Sequence, residues 1–139
     1  MQIPTAKMID FDLYEAKKLY PFQEQTVNQV LEELRKNGAN FNLLYQLPTG
    51  GGKTVIFSEI ARRFIEQWGK KVLILTHRIE LSVQTSQQLS AIKVANKVIN
   101  SEVKHLDDQD EFQCFIAMVE TLNNRLNEND NFITDVGLV

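Results

Sequence analysis

Three consecutive glycines, Gly50, Gly51 and Gly52, lead directly into Lys53 and Thr54. The chain has only six glycines in 139 residues, so half of them stand at one place. A glycine ordered in a loop costs more entropy than any other residue, and three together imply a backbone that must approach something closely. Successive N–H groups in such a loop form a concave anion site, and a helix that follows adds its positive dipole end. A lysine there reaches the β- and γ-phosphates of a nucleotide as a point charge, and the next hydroxyl ligates Mg²⁺. Gly50, Gly51, Gly52, Lys53 and Thr54 are therefore the candidate phosphate-binding residues. Lys53 and Thr54 are the candidate catalytic ones, with Thr54 as the Mg²⁺ ligand.

This chemistry needs a strand before the loop and a helix after it. The apolar run 43–47 predicts a buried strand, while Phe57, Ile60, Ala61, Phe64, Ile65 and Trp68 recur at helical spacing. Upstream, Pro21 fixes the entry to a helix on which Val27, Val30, Leu31 and Leu34 share one face, and Asn37-Gly38 ends it. After Gly69, the run Val72, Leu73, Ile74, Leu75 shows no alternation, as expected of a strand buried on both faces. Residues 78–90 predict a polar helix and 94–99 a short strand, with an acidic connection over 101–111. A strand at 112–117, a helix near 119–128 and a final strand beginning at 136–139 complete the order. Strands alternating with helices predict an α/β fold with a parallel sheet and right-handed crossovers.

The bulk numbers set limits. At 139 residues the chain fits one domain, and 43% hydrophobic with 24% charged residues is the composition of a soluble globular protein. No apolar run approaches the roughly 20 residues of a membrane span, and the N-terminus lacks the basic-then-apolar build of a signal peptide. Cys114 is the single cysteine, which excludes an internal disulfide and fits a reducing cytoplasm, with the thiol buried. A net charge of −3 gives no bulk electrostatic case for nucleic acid. The two histidines, His77 and His105, lie far apart without metal-ligand spacing.

The loop departs from G-x-x-x-x-G-K-[ST] at its first position, where Leu47 stands. "PTGGGKT" resembles the form this loop takes in superfamily 2 helicases and translocases of the DEAD/DEAH-like group, which includes restriction-enzyme motor subunits and repair translocases. The resemblance adds Thr49 to the nucleotide-binding set. Residues 19–30, "LYPFQEQTVNQV", are similar to the Leu-Arg-Pro-Tyr-Gln segment of these motors, with Tyr20 in place of the arginine. It implies that Gln23 reads adenine, since a carboxamide can pair with N6 and N7 together. Residues 72–85 resemble the family's motif Ia, which places Thr76, His77 and Arg78 beyond the end of a strand and makes Arg78 a nucleic-acid phosphate contact. Residues 115–126, "FIAMVETLNNRL", look like motif Ib, with Met118 and Glu120 replacing the usual threonine and glutamine. Thr121 and Arg125 are then further backbone contacts.

What the resemblance implies is a RecA-like ATP-binding domain over 19–139, preceded by a lead-in at 1–18. The cofactors would be ATP and Mg²⁺, and the partner nucleic acid, DNA by preference, with no membrane. The Asp-Glu-x-His strand end that such motors use to hold Mg²⁺ and activate water does not occur before Val139, and Asp130 and Asp135 precede the last strand instead of following it. The expectation is thus the nucleotide-binding part of an ATP hydrolase, inactive by itself, with an exposed sheet edge at 136–139 that invites self-association. A small-molecule P-loop kinase and a non-catalytic nucleotide-binding module are the alternatives.

Overall fold

A computed structural model of the protein describes residues 19–38, 41–46 and 52–139, and its architecture follows from apolar runs that pair side by side. Strand β1 (Lys71–Thr76) lies between β3 (Cys114–Met118) and β4 (Val136–Leu138), and β2 (Asn96–Ile99) lies outside β3. All three pairings are parallel. The register sets Val72 beside Cys114, Ile74 beside Ile116 and Thr76 beside Met118. Because side chains alternate along a strand, Val72, Cys114 and Ile116 face one side while Leu73, Phe115 and Ala117 face the other.

Each face is covered. Helices α2 (Lys53–Trp68) and α3 (Ile79–Ala91) bring Ala61, Phe64 and Leu89 onto the first face. Helix α4 (Val119–Glu128) and the loops around it bring Leu106, Leu122 and Phe132 onto the second. Both sides of β3 and of the first half of β1 are therefore buried, which is why these runs are apolar without alternation, while Ile74 and Leu75 are more open. Helix α1 (Pro21–Asn37) packs on α2 through Val27, Leu31 and Ile56. The α/β class with a parallel sheet stands as the sequence predicts. Among the described residues no helix is long and apolar enough to cross a membrane.

One expected element is corrected. Residues 41–46 form neither strand nor helix, although 43–47 read as a buried strand; residue 47 lies outside the described residues. Leu44 is 92% exposed. A strand exists only through a partner ladder, and a cleft of about 500 Å³ lies where a partner would be, lined by Leu43, Leu44 and Tyr45 and by Ile74, Leu75 and Leu138. The segment is tied instead to α1, where the Tyr45 hydroxyl donates to Gln29 Oε1 at 2.8 Å. The lead-in at 1–18 also lies outside the described residues.

The buried state of Cys114 gives the fold a chemical readout. Its side chain is fully enclosed, and desolvation of the thiolate pushes its pKa from the ordinary 9.0 up to about 12. A thiol reagent at pH 8 should therefore leave the native protein unlabelled and modify one cysteine per chain in denaturant. Labelling of the native protein at the rate of a free thiol would contradict this packing.

Candidate nucleotide site

Helix α2 begins at a residue that only glycine tolerates easily. Gly52, its N-cap, sits in the left-handed region at φ 74° and ψ 45°, and its carbonyl accepts the first helical hydrogen bond from Ile56 N–H at 3.0 Å. Among the described residues no side-chain hydrogen bond caps the helix here, and its leading N–H groups form a positive dipole end. Lys53 follows as an exposed first residue, and Thr54 is half-buried. Lys53 also lines a cleft of about 360 Å³ between α1, α2 and residues 45–46, with Thr26, Tyr45, Gln46 and Ile56. A glycine at the helix start followed by an exposed lysine is an arrangement that suits a chain of phosphates. Thr49, Gly50 and Gly51 lie outside the described residues.

Gln23 is brought to this place. It is 4% exposed in the first turn of α1, and its Oε1 accepts from Tyr20 N–H at 2.9 Å. Its Nε2 lies so close to Gly52 that a Cβ at position 52 would collide with it. The predicted base reader and the head of the phosphate-loop helix are thus in contact across 29 residues of sequence. The structure also shows a task that the sequence reading did not include: Gln23 closes the N-terminus of α1. Tyr20 and Phe22 stack beside it, ring centroids 6.3 Å apart and planes 10° from parallel.

A charged clamp holds the two helices together. Arg63 on α2 grips Glu24 on α1 with both terminal nitrogens, Nη1 at 2.7 Å and Nη2 at 2.9 Å, and donates from Nε to Glu59 at 2.6 Å. Asn28 Oδ1 accepts from Arg63 Nη1 at 3.1 Å. The hydrogen bonds from Arg63 hold the Glu24 carboxyl below its ordinary pKa. Burial pushes Glu59 upward, but hydrogen bonds from Arg62 and Arg63 outweigh it and leave its pKa lowered. Sequence reading missed this clamp, because its partners stand 39 residues apart and each alone looks like a surface charge.

The predicted nucleic-acid contacts divide. The turn after β1 is braced by buried hydroxyls, Thr76 Oγ1 lying 2.8 Å from Ser82 Oγ and donating to the Arg78 carbonyl at 3.3 Å. That bracing leaves His77 and Arg78 exposed. Thr121 lies half-buried in the first turn of α4, directly after β3. Since Thr76 pairs with Met118, both turns leave the same edge of the sheet on neighbouring strands, about 4.8 Å apart. Helix α2 reaches toward that edge too, because the link of Gly69 and Lys70 folds it back along β1. Arg125 does not join them. It is 5% exposed, and its Nε and Nη2 donate to the carbonyls of Val103 and Ser101, each at 2.7 Å. A guanidinium satisfied by two loop carbonyls braces residues 101–103. Among the described residues there is no His/Cys/Asp/Glu group able to hold a metal ion, so His77 is an exposed turn residue.

The family profile described as "Type III restriction enzyme, res subunit" matches residues 16–136. The Saccharomyces cerevisiae protein named "Putative ATP-dependent helicase IRC3" is 32% identical to the chain over 123 residues. That alignment covers 84% of this chain and 18% of the yeast protein, so the chain spans less than a fifth of this relative's length.

The contact between Gly52 and Gln23 predicts a coupling. An alanine at 52 must adopt a left-handed backbone, which costs roughly 1–2 kcal/mol, and must also displace the Gln23 carboxamide from its bond to Tyr20. In denaturant unfolding, Gly52→Ala should cost less in a Gln23→Ala background than in the wild type. Strictly additive effects would show that the two residues do not share this space.

Proposed function

Because the chain belongs to the type III restriction enzyme res-subunit family, we propose that it forms the ATP-binding N-terminal part of an ATP-dependent helicase or translocase that acts on nucleic acid, DNA in our reading. The observation that carries this is the junction at Gly52, where a helix start with a glycine N-cap, an exposed lysine and a glutamine from a second helix meet. Bound ATP with Mg²⁺ supplies the phosphoanhydride whose cleavage drives such motors. The role of the chain's own groups is to bind and orient. Gly50, Gly51 and Gly52 offer backbone N–H groups, Lys53 neutralises the β- and γ-phosphates, and Thr54 gives Mg²⁺ a hydroxyl ligand. Thr49 belongs to the same nucleotide-binding set. Gln23, in contact with Gly52 at the head of α2, selects adenine through its carboxamide.

The nucleic-acid partner is held through phosphates by Arg78 and Thr121, which leave one edge of the sheet together. Arg125, whose guanidinium donates to the carbonyls of Val103 and Ser101, fixes the loop at 101–103. A net charge of −3 makes such binding a matter of these local groups and steeply salt-dependent. The yeast relative's name describes an ATP-dependent helicase, which supports the same activity here. β4, which pairs with β1 at the end of the sheet order, is the proposed place of self-association. A reducing cytoplasm suits the buried single thiol.

Removing the charge at the loop should weaken nucleotide binding selectively. Lys53→Ala loses a charge-assisted contact worth on the order of 1.5–3 kcal/mol, so titration calorimetry should show ATP affinity falling at least tenfold while unfolding stability stays close to wild type. Equal ATP affinity in the two proteins would refute the assignment.

A further inference from the structure

Helix α1 carries Gln23 at its first turn, yet its apolar anchors lie further along. Val27 and Leu31, fully buried against Ile56, fix the helix one and two turns beyond Gln23. At the far end, Arg35 Nη2 donates to Gln67 Oε1 at 2.7 Å. The first turn itself is fastened to α2 by the Gln23–Gly52 contact and by Arg63, which grips Glu24, the neighbour of Gln23. The grip is a fork: two parallel bonds to one carboxylate fix direction as well as distance. Arg63 is fixed in turn, because Glu59 one turn back on α2 accepts from its Nε, and the Arg63 side chain is only 21% exposed. The guanidinium is therefore held by Glu24, Glu59 and Asn28, and through Glu24 it holds the helix turn.

We propose that Arg63 is a positioning residue for nucleobase selection: its fork on Glu24 sets the first turn of α1 on α2 and so aims the Gln23 carboxamide at the base. This rests on the reading of Gln23 as the adenine contact. Arg63 lies nearly three turns along α2 from Lys53, so it acts on the base end of the site through α1 and leaves the phosphate end alone. A bidentate base contact tolerates little misplacement. A first turn that rocks should lose selectivity between bases before it loses affinity for phosphates.

The test measures dissociation constants of ATP, GTP and inorganic tripolyphosphate for wild type, Arg63→Lys, Arg63→Met and Glu24→Gln, with melting temperatures alongside. Wild type should prefer ATP over GTP by roughly tenfold or more, the scale of one bidentate base contact. Arg63→Lys keeps the charge but loses the fork, and Arg63→Met loses both, so each should bring the ATP-to-GTP ratio toward one. Glu24→Gln, which removes the carboxylate from the other side, should act in the same direction. Tripolyphosphate affinity should change less than twofold throughout. An unchanged ratio in folded Arg63 variants would overturn the proposal. A loss of all three ligands in parallel with a fall in melting temperature would overturn it too, leaving Arg63 a purely structural clamp. A wild type that binds ATP and GTP equally would instead remove the reading of Gln23 on which the proposal stands.

Discussion

The rest of the site depends on the close approach of α1 to the head of α2 at Gly52. With φ at 74° and no Cβ, Gly52 turns the chain into α2 and leaves room for the Gln23 carboxamide at the same time. Either property alone would favour glycine; together they make it the one residue that meets both demands. The contact is also what makes one site from two distant segments. A base held at α1 and phosphates held at α2 can belong to one ligand only if these helix ends stay fixed relative to each other. The apolar seam of Val27, Leu31 and Ile56 holds the helices together, and the Arg63 fork sets the end that matters.

The sheet gives the second surface its geometry. Parallel strands send their following turns out at a common end of the sheet, so the segments carrying Arg78 after β1 and Thr121 after β3 leave adjacent strands although 43 residues separate them. Buried hydroxyls do the local work there: Thr76 and Ser82 satisfy each other and the Arg78 carbonyl, which holds the turn open with its charged side chain outward. Arg125 shows the opposite use of the same residue type. Its stem passes through the packed layer and its guanidinium ends on two loop carbonyls, so its charge shapes the surface from within.

Much of this was legible in the sequence wherever the determinant is local. Helical spacing of Val27, Val30, Leu31 and Leu34, the unbroken apolar run at 72–75, and the glycines at 38 and 69 are each sufficient to place an element. The class of the fold and the chemistry of the glycine loop follow from such signals. What could not be read is pairing across long separations. The run at 43–47 has a strand's composition, but a strand also needs a ladder partner, and no composition announces whether one is there. Arg125 has a surface residue's charge, and only the carbonyls of Ser101 and Val103 show that it points inward. The Arg63–Glu24 fork is invisible for the same reason, since each residue by itself is an ordinary solvated charge. Gln23 is the mixed case: the family resemblance singles it out as a base contact, and only the fold reveals that it closes the N-terminus of α1 and meets Gly52.

The central claim is that one nucleotide spans the junction of α1 and α2. Backbone and side-chain amide resonances, followed while the protein is titrated with ATP and Mg²⁺, test it most directly. The account predicts that the largest shifts fall on the amides of residues 50–54 and on the Gln23 side-chain NH₂, with small changes around β2 and residues 101–103. Shifts concentrated on another surface, with the amides of 50–54 and Gln23 unmoved at saturation, would contradict it.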